Sequence, residues 1–246
     1  MSRAFRLVCA RRALDSHSLI YTPYRISARR LHTHTEAVPS TFRHSTDGGR
    51  RITTPSSGHV SESLAQHLNK TFPPLEFPPA LAQRLLTHLS HRDSLTGHNS
   101  RFSFLGRRTL EAYMMLFLQG LPAAAEHDHS RIAARVLNTH GLGEHVAPHW
   151  RLQDVMRWVP PRAGEAGLDG RAAGLHKVAG TMVEAVVGGV LHQFGGRIAH
   201  RLFHLRVLPH LLHPGSPIGL PDVLHSDALK AAEHYGGSKG SLVRNS

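Results

Sequence analysis

The sequence predicts an all-α fold. Three observations carry this. Apolar residues return at helical spacing in one segment after another between Leu81 and Leu212. One of these segments, running to about Gln119, has two apolar faces built from Phe104, Leu105, Thr109, Leu110, Tyr113, Leu116 and Phe117, as a helix buried on more than one side requires. Another, Lys177 to about Phe194, carries Gly188-Gly189 in its interior. Glycine there weakens a helix, so its presence points to close helix packing.

The chain has 246 residues, enough for one medium domain with extensions. No apolar run reaches the roughly 18 residues a membrane-spanning helix needs, so no membrane span is expected. A formal charge of +12, carried mainly by Arg, favours a polyanionic partner. The single Cys, Cys9, leaves no disulfide or thiolate metal centre for a mature domain.

Residues 1–32 have the composition of a mitochondrial transit peptide: Arg3, Arg6, Arg11, Arg12, Arg25, Arg29 and Arg30 face one acid, Asp15. A basic arm that binds RNA is the alternative. Residues 33–78 are rich in Thr, Ser, His and Gly and read as a linker or extension, with a short helix possible over Ser61 to Lys70. Phe72-Pro73-Pro74 and Phe77-Pro78-Pro79 interrupt any helix.

The globular domain is expected over 79–213. Leu81, Leu85, Leu86 and Leu89 make a first amphipathic helix, closed by a loop containing Gly97. The long two-faced helix follows. Ser130 to about Asn138 forms another, and Trp150 to Trp158 a further helix or turn before Pro160-Pro161. Residues 161–175, with Gly164, Gly167, Gly170 and Gly174, read as a surface loop, since they match neither a Walker pattern nor G-x-G-x-x-G. Gly195-Gly196 ends the Lys177 helix, and Ile198, Leu202, Leu205, Leu208 and Leu212 build the last one. Residues 214–246 form a C-terminal extension with a short helix over Ser226 to His234.

Two of these segments carry motifs. His98-Asn99-Ser100-Arg101-Phe102-Ser103-Phe104-Leu105-Gly106-Arg107 resembles the ribonuclease III signature Asn-Glu-Arg-Leu-Glu-Phe-Leu-Gly-Asp. Asn99, Arg101, Phe104, Leu105 and Gly106 match; Ser100, Ser103 and Arg107 stand where the family has acids. Lys177-Val178-Ala179-Gly180-Thr181-Met182-Val183-Glu184-Ala185-Val186-Val187-Gly188-Gly189 resembles Lys-x-x-Ala-Asp-x-x-Glu-Ala-x-x-Gly-Ala, with Thr181 at the Asp place and Glu184 retained. Leu85 to His91 and Asn138 to Gly143 are similar to connecting elements of the same family, so the resemblance spans about residues 80–213. No double-stranded RNA-binding domain is recognisable in residues 214–246.

The resemblance implies an endonuclease-domain fold, pairing of two such domains along the signature helix, and carboxylates that bind a divalent metal to cut a phosphodiester. Of the four corresponding positions, Ser103, Arg107 and Thr181 are not acids and only Glu184 is. A guanidinium has no acceptor atom, so Arg107 is expected to pair with Glu184 instead of serving a metal. The resemblance therefore implies no catalytic residues, no metal and no cofactor. Among the 22 His, His200 and His204 share a helix face at zinc-ligand spacing, yet no third ligand stands out and a solvent-exposed or capping role is preferred.

The expected function is that of a non-catalytic ribonuclease III-like protein of the mitochondrial large ribosomal subunit, in the matrix. Its partners would be mitochondrial ribosomal RNA and other large-subunit proteins, with a heterodimer of two ribonuclease III-like proteins favoured. Arg101, Arg107 and Arg108 are the RNA-binding candidates, and Phe102, Phe104 and Leu105 the dimer-interface candidates. An active RNA-processing endoribonuclease and a non-ribosomal assembly factor are the competing readings.

Overall fold

Helix α6, Leu168–Phe194, is the axis of the molecule in the computed structural model, which describes residues 57–160, 168–237 and 240–243. Every position of α6 from Met182 to Val190 is buried. A helix apolar around most of its circumference is stable only when other elements surround it. The other helices are α1 (Ser57–Thr71), α2 (Pro79–Leu85), α3 (Ser100–Gln119), α4 (His129–Val136), α5 (Thr139–Gly141), α7 (Gly196–Leu202) and α8 (His225–His234), of which α2, α3, α5 and α7 pack most closely on it. The fold is all-α, and among the described residues the one extended pairing is an isolated parallel bridge between Thr87 and Arg157.

The principal crossing is α3 on α6. A Cβ at Gly106 would lie 1.8 Å from the Glu184 carbonyl oxygen, and one at Gly188 would lie 2.1 Å from that of Phe102. The two backbones therefore touch, which only glycine permits at these positions. On its inner face α3 buries Ser103, Gly106, Leu110, Met114 and Phe117.

Several boundaries differ from the sequence expectation. The stretch 33–78, expected as a linker with a short helix over Ser61 to Lys70, carries a longer helix and part of the core: Leu64, Ala65 and Leu68 form one buried face of α1, and Phe72 follows it into the core. Phe72 meets Trp150 edge-on at 4.9 Å, and Phe77 meets Phe194 at 5.2 Å. These apolar residues are sparse in a polar stretch, but their spacing is helical. The transit segment, the rest of that linker and residues 161–167 of the glycine-containing loop lie outside the described residues.

Helix α2 stops at Leu85 and does not reach Leu89, whose surface is 58% exposed. The chain instead turns extended, with Arg157 N donating to Leu86 O at 2.8 Å and His88 N to Arg157 O at 2.8 Å. Arg157 also pairs with Asp93 through its guanidinium. The loop expected over 161–175 is helical from Leu168, so Gly170 and Gly174 are inside α6. Extending an established helix adds one bond per residue fixed, which offsets the glycine cost.

The last apolar segment is continuous but not uniform. Helix α7 widens through Phe203–Val207 and tightens through Leu208–Leu211. Pro209 has no N–H for the ladder there. The C-terminal extension packs on the same core through Leu220, Leu224, Ala228 and Leu242. Arg201 fastens it by donating to Tyr235 O at 3.0 Å and to Ser241 O at 2.6 Å.

Candidate functional site

Where α3 crosses α6, the Glu184 side chain is wholly buried. A buried carboxylate is stable only if countercharge and donors surround it. Here Ser103 Oγ donates to Oε2 at 2.7 Å and Thr139 Oγ1 to Oε1 at 2.8 Å. Arg107 Nε donates to Oε1 at 3.2 Å and Arg107 Nη2 to Oε2 at 3.3 Å. The same Nη2 reaches Thr139 Oγ1 at 3.0 Å. A carboxylate offers about four lone-pair sites, and four donor contacts fill them.

The local sequence explains this closure. Ser103 and Arg107 are one turn apart on α3 and flank Gly106, whose missing side chain brings α3 against the backbone of Glu184 itself. Thr139 arrives through a second glycine pair. A Cβ at Gly180 would lie 1.7 Å from Thr139 O, and one at Gly143 would lie 1.8 Å from His176 O. Asn138 caps the start of this segment, its Oδ1 accepting from Gly141 N at 2.7 Å.

Of the four positions singled out by the sequence resemblance, the fold thus joins Ser103, Arg107 and Glu184. Thr181 stays apart, its hydroxyl donating back to Lys177 O at 3.0 Å. Thr139 is the contributor the motifs did not announce, and the small residues Gly143 and Gly180 were its one available signal. This residue set does not fit a hard divalent cation. Such an ion wants anionic oxygens, whereas the lone carboxylate is already saturated and a guanidinium half-exposed at 50% stands beside it. Among the described residues no group of three or more His, Cys, Asp or Glu is placed to hold a metal. No described helix is long and apolar enough to cross a membrane.

The remaining candidates divide. Arg101 is exposed and has no ion-pair partner among the described residues. It lines a cleft of about 390 Å³ with Arg84, Leu95 and His98. Arg108 is paired to Glu111 at 2.8 Å and lies 5.7 Å over the Phe104 ring. Phe104 is 65% exposed, whereas Phe102 is half-buried between Arg84 and His192, and Leu105 is half-buried. The exposed apolar surface on and beside the signature helix also includes Leu95 and Leu116. Asn99 is wholly buried and donates to Met182 Sδ at 3.1 Å, tying the motif entrance to α6.

The histidine pair His200/His204 is not solvent-exposed, and among the described residues no third His, Cys, Asp or Glu joins it. The two Nε2 atoms face each other at 3.3 Å, and His204 is buried against Phe117, Phe203 and Tyr235. Burial, then the neighbouring His200, lowers the His204 pKa to about 4. His91 caps the short helical turn Arg92–Thr96 by accepting from Asp93 N, and His88 accepts from Ser90 N in the turn before it.

Residues 78–211 match the model of a family described as ribonuclease-III-like. The chain is similar to ribonuclease 3 of Zymomonas mobilis, 32% identical over 127 residues that cover 51% of this chain and 48% of the relative. It is also similar to ribonuclease 3 of Cupriavidus taiwanensis, 30% identical over 175 residues that cover 71% of this chain and 61% of the relative. The chain thus spans about half to three fifths of the length of these relatives. The crystal structure of the nuclease domain of ribonuclease III from Campylobacter jejuni aligns with TM-score 0.45 and 21% identity over 55% of this chain and 87% of that one. The family match covers both motif helices and the crossing that buries Glu184, and by it the chain belongs to the ribonuclease-III-like family.

Proposed function

We propose that this chain is a non-catalytic member of its family and a structural protein of the mitochondrial large ribosomal subunit, where it binds ribosomal RNA and a second ribonuclease III-like protein. The observation that carries the non-catalytic reading is the saturation of Glu184 by Ser103, Arg107 and Thr139. For a metal to reach Glu184 it would have to displace the half-exposed Arg107 from its pair, which costs about 2–3 kcal/mol even before hydration is lost. Arg107 also turns the outer face of this site positive, so phosphate can approach it without a metal between them. The Arg-rich, acid-poor segment 1–32 supports a mitochondrial matrix location.

RNA contact is assigned to Arg101 first, because it has no competing acid, with Arg107 and Arg108 adding charge from within their pairs. A-form RNA presents phosphates and 2′-hydroxyls, so recognition is of shape and falls with salt. Phe104 and Leu116 on the signature helix are the apolar surface offered to the paired domain, with Leu105 at its edge. Nuclease assays with Mg²⁺ or Mn²⁺ on double-stranded RNA test the first half of this reading: no cleavage is expected. Metal-dependent cleavage that Glu184→Gln abolishes would replace it with the endoribonuclease reading, which the names of the similar proteins favour. Sedimentation tests the second half. The protein should stay with the large subunit in high salt, and its release there would make it an assembly factor.

A further inference from the structure

Segment Thr139–Arg151 meets its neighbours through three pairs of contacting histidine rings, one stacked and two tilted. The His149 ring lies parallel on His210 at 3.7 Å and 14°. His145 packs on His213 at 3.9 Å, and His140 on His176 at 5.2 Å. One ring of each pair belongs to the segment; the others come from α6 or from the end of the last helical stretch. His176 Nδ1 and His213 Nε2 are buried without a hydrogen-bond partner, so the seam has no acceptor for an added N–H at those atoms. His213 adopts a left-handed backbone, φ 41°, which a non-glycine residue tolerates only when its surroundings hold it. The segment also begins with Thr139, a donor to Glu184.

We propose that this histidine seam is a proton-operated latch: proton uptake at His145 and His210 frees the Thr139–Arg151 segment from the end of the last helical stretch and withdraws Thr139 from Glu184. The latch works whether or not the chain cleaves RNA. Its basis is that imidazole rings in contact pack while neutral but repel when both are charged, and His145 and His210 are each partly buried.

The groups facing each ring decide the sign. His145 is disfavoured as a cation by burial first, then by His213, with Glu144 opposing and His176 and His140 adding to the effect. His210 is held down to about 4 by burial, then by His149 and Arg206. A histidine depressed in the folded state contributes stability present above about pH 6.5, and that stability is lost as pH falls toward the folded value. The latch is therefore closed at neutral pH and loosens between about pH 6.5 and 4. A ring released from a pKa of about 4 to 6.5 favours the open form about thirtyfold at pH 5. Partial solvent access to His210 lowers this to roughly tenfold.

Hydrogen-exchange protection factors of the full chain at pH 7.5 and pH 5.0 test it, since they remove the intrinsic pH dependence of exchange. Amides from Leu142 to Trp150 should lose about tenfold or more in protection, while those from Leu110 to Leu118 in α3 hold. The double variant His145→Phe, His210→Phe keeps aromatic packing without titration and should abolish most of the loss. Uniform loss in both regions, or an unchanged loss in the double variant, overturns the proposal. If the double variant does not fold, histidine titration by NMR on the unsubstituted chain decides: His145 and His210 titrating near 6.5 sinks the latch, and depressed titration supports it.

Discussion

Arg107→Met is the most direct probe of the closed acid site. The substitution keeps much of the side-chain length but removes the countercharge and both guanidinium contacts to Glu184. Ser103 and Thr139 remain as donors, so the carboxylate is left half-satisfied in a position with no exposure. Removing one partner of a fully buried pair costs about 3–5 kcal/mol. Arg107 is itself half-exposed, so water can enter on its side and screen the loss, which brings the expected cost to about 2–3 kcal/mol. Glu184→Gln loses charge and turns an amide donor toward existing donors, costing about 1–3 kcal/mol. The double variant should fall short of the summed single effects by about 1–2 kcal/mol, since each single change already breaks the same interaction. Urea denaturation measures this through the midpoint at constant slope. If the two single effects add within about 0.5 kcal/mol, Arg107 and Glu184 do not stabilise one another and the closed-site reasoning fails.

Gly106→Ala should cost more than about 3 kcal/mol in the same assay, because its Cβ would meet the Glu184 carbonyl at 1.8 Å and α3 must lift off α6. Gly58→Ala meets nothing within 4 Å and should change stability by under about 1 kcal/mol, which separates a packing effect from a propensity effect. Arg101→Glu with Arg108→Glu should weaken binding to an A-form RNA helix and flatten its salt slope by roughly two phosphate contacts, read by titration at several salt concentrations; unchanged affinity and slope would move the contact elsewhere. Arg107→Asp alone should not restore cleavage, since Ser103 and Thr181 remain hydroxyls. Ser103→Glu, Arg107→Asp and Thr181→Asp together should instead make thermal stability rise with Mg²⁺, and a melting temperature indifferent to Mg²⁺ would show that the pocket cannot be reopened.

How much of this was legible in the sequence depends on how each signal is encoded. Helices α3 and α6 carry apolar residues at helical spacing over many turns, so α3 could be read with its approximate length and α6 from Lys177 onward, while its first turns from Leu168 were hidden by Gly170 and Gly174. Gly188 pointed to the close crossing because a mid-helix glycine needs a reason. Helix α1 was legible only as a possible short helix over Ser61 to Lys70, because Leu64, Leu68 and Phe72 sit in a polar stretch whose average composition suggests a linker and only their register reveals a buried face. Leu89 misled in the opposite sense. It continues the α2 spacing, but Leu86 and His88 pair with Arg157, which lies 70 residues beyond the intervening Thr87, and this pulls the chain out of the helix. Thr139 was hidden for a similar reason, since its partner Glu184 lies 45 residues away and only folding brings them together.

The motif departures make most physical sense as a set. An acid kept at Glu184 in a dehydrated crossing cannot stand alone, because a buried unpaired charge is among the costliest features a fold can carry. If the acids at the other three places are gone, no metal supplies the balancing charge, and the fold must supply a cation of its own. Arg107 does so while its own side chain stays half-exposed to water. Ser103 then suits its position better than an acid would, because a second carboxylate within hydrogen-bond reach of Glu184 would repel it, while a hydroxyl at 2.7 Å donates. Thr139 completes the shell through Gly143 and Gly180, so the site depends on the same glycine contacts that set the helix spacing. On this reasoning Ser103 and Arg107 should be energetically coupled through Glu184: Ser103→Ala should cost more in the Arg107→Met background than beside the native arginine, since Glu184 then keeps only Thr139. Equal cost of Ser103→Ala in the two backgrounds, measured by urea midpoint, would mean that the contacts to Glu184 are independent and the set is an accident of the individual positions.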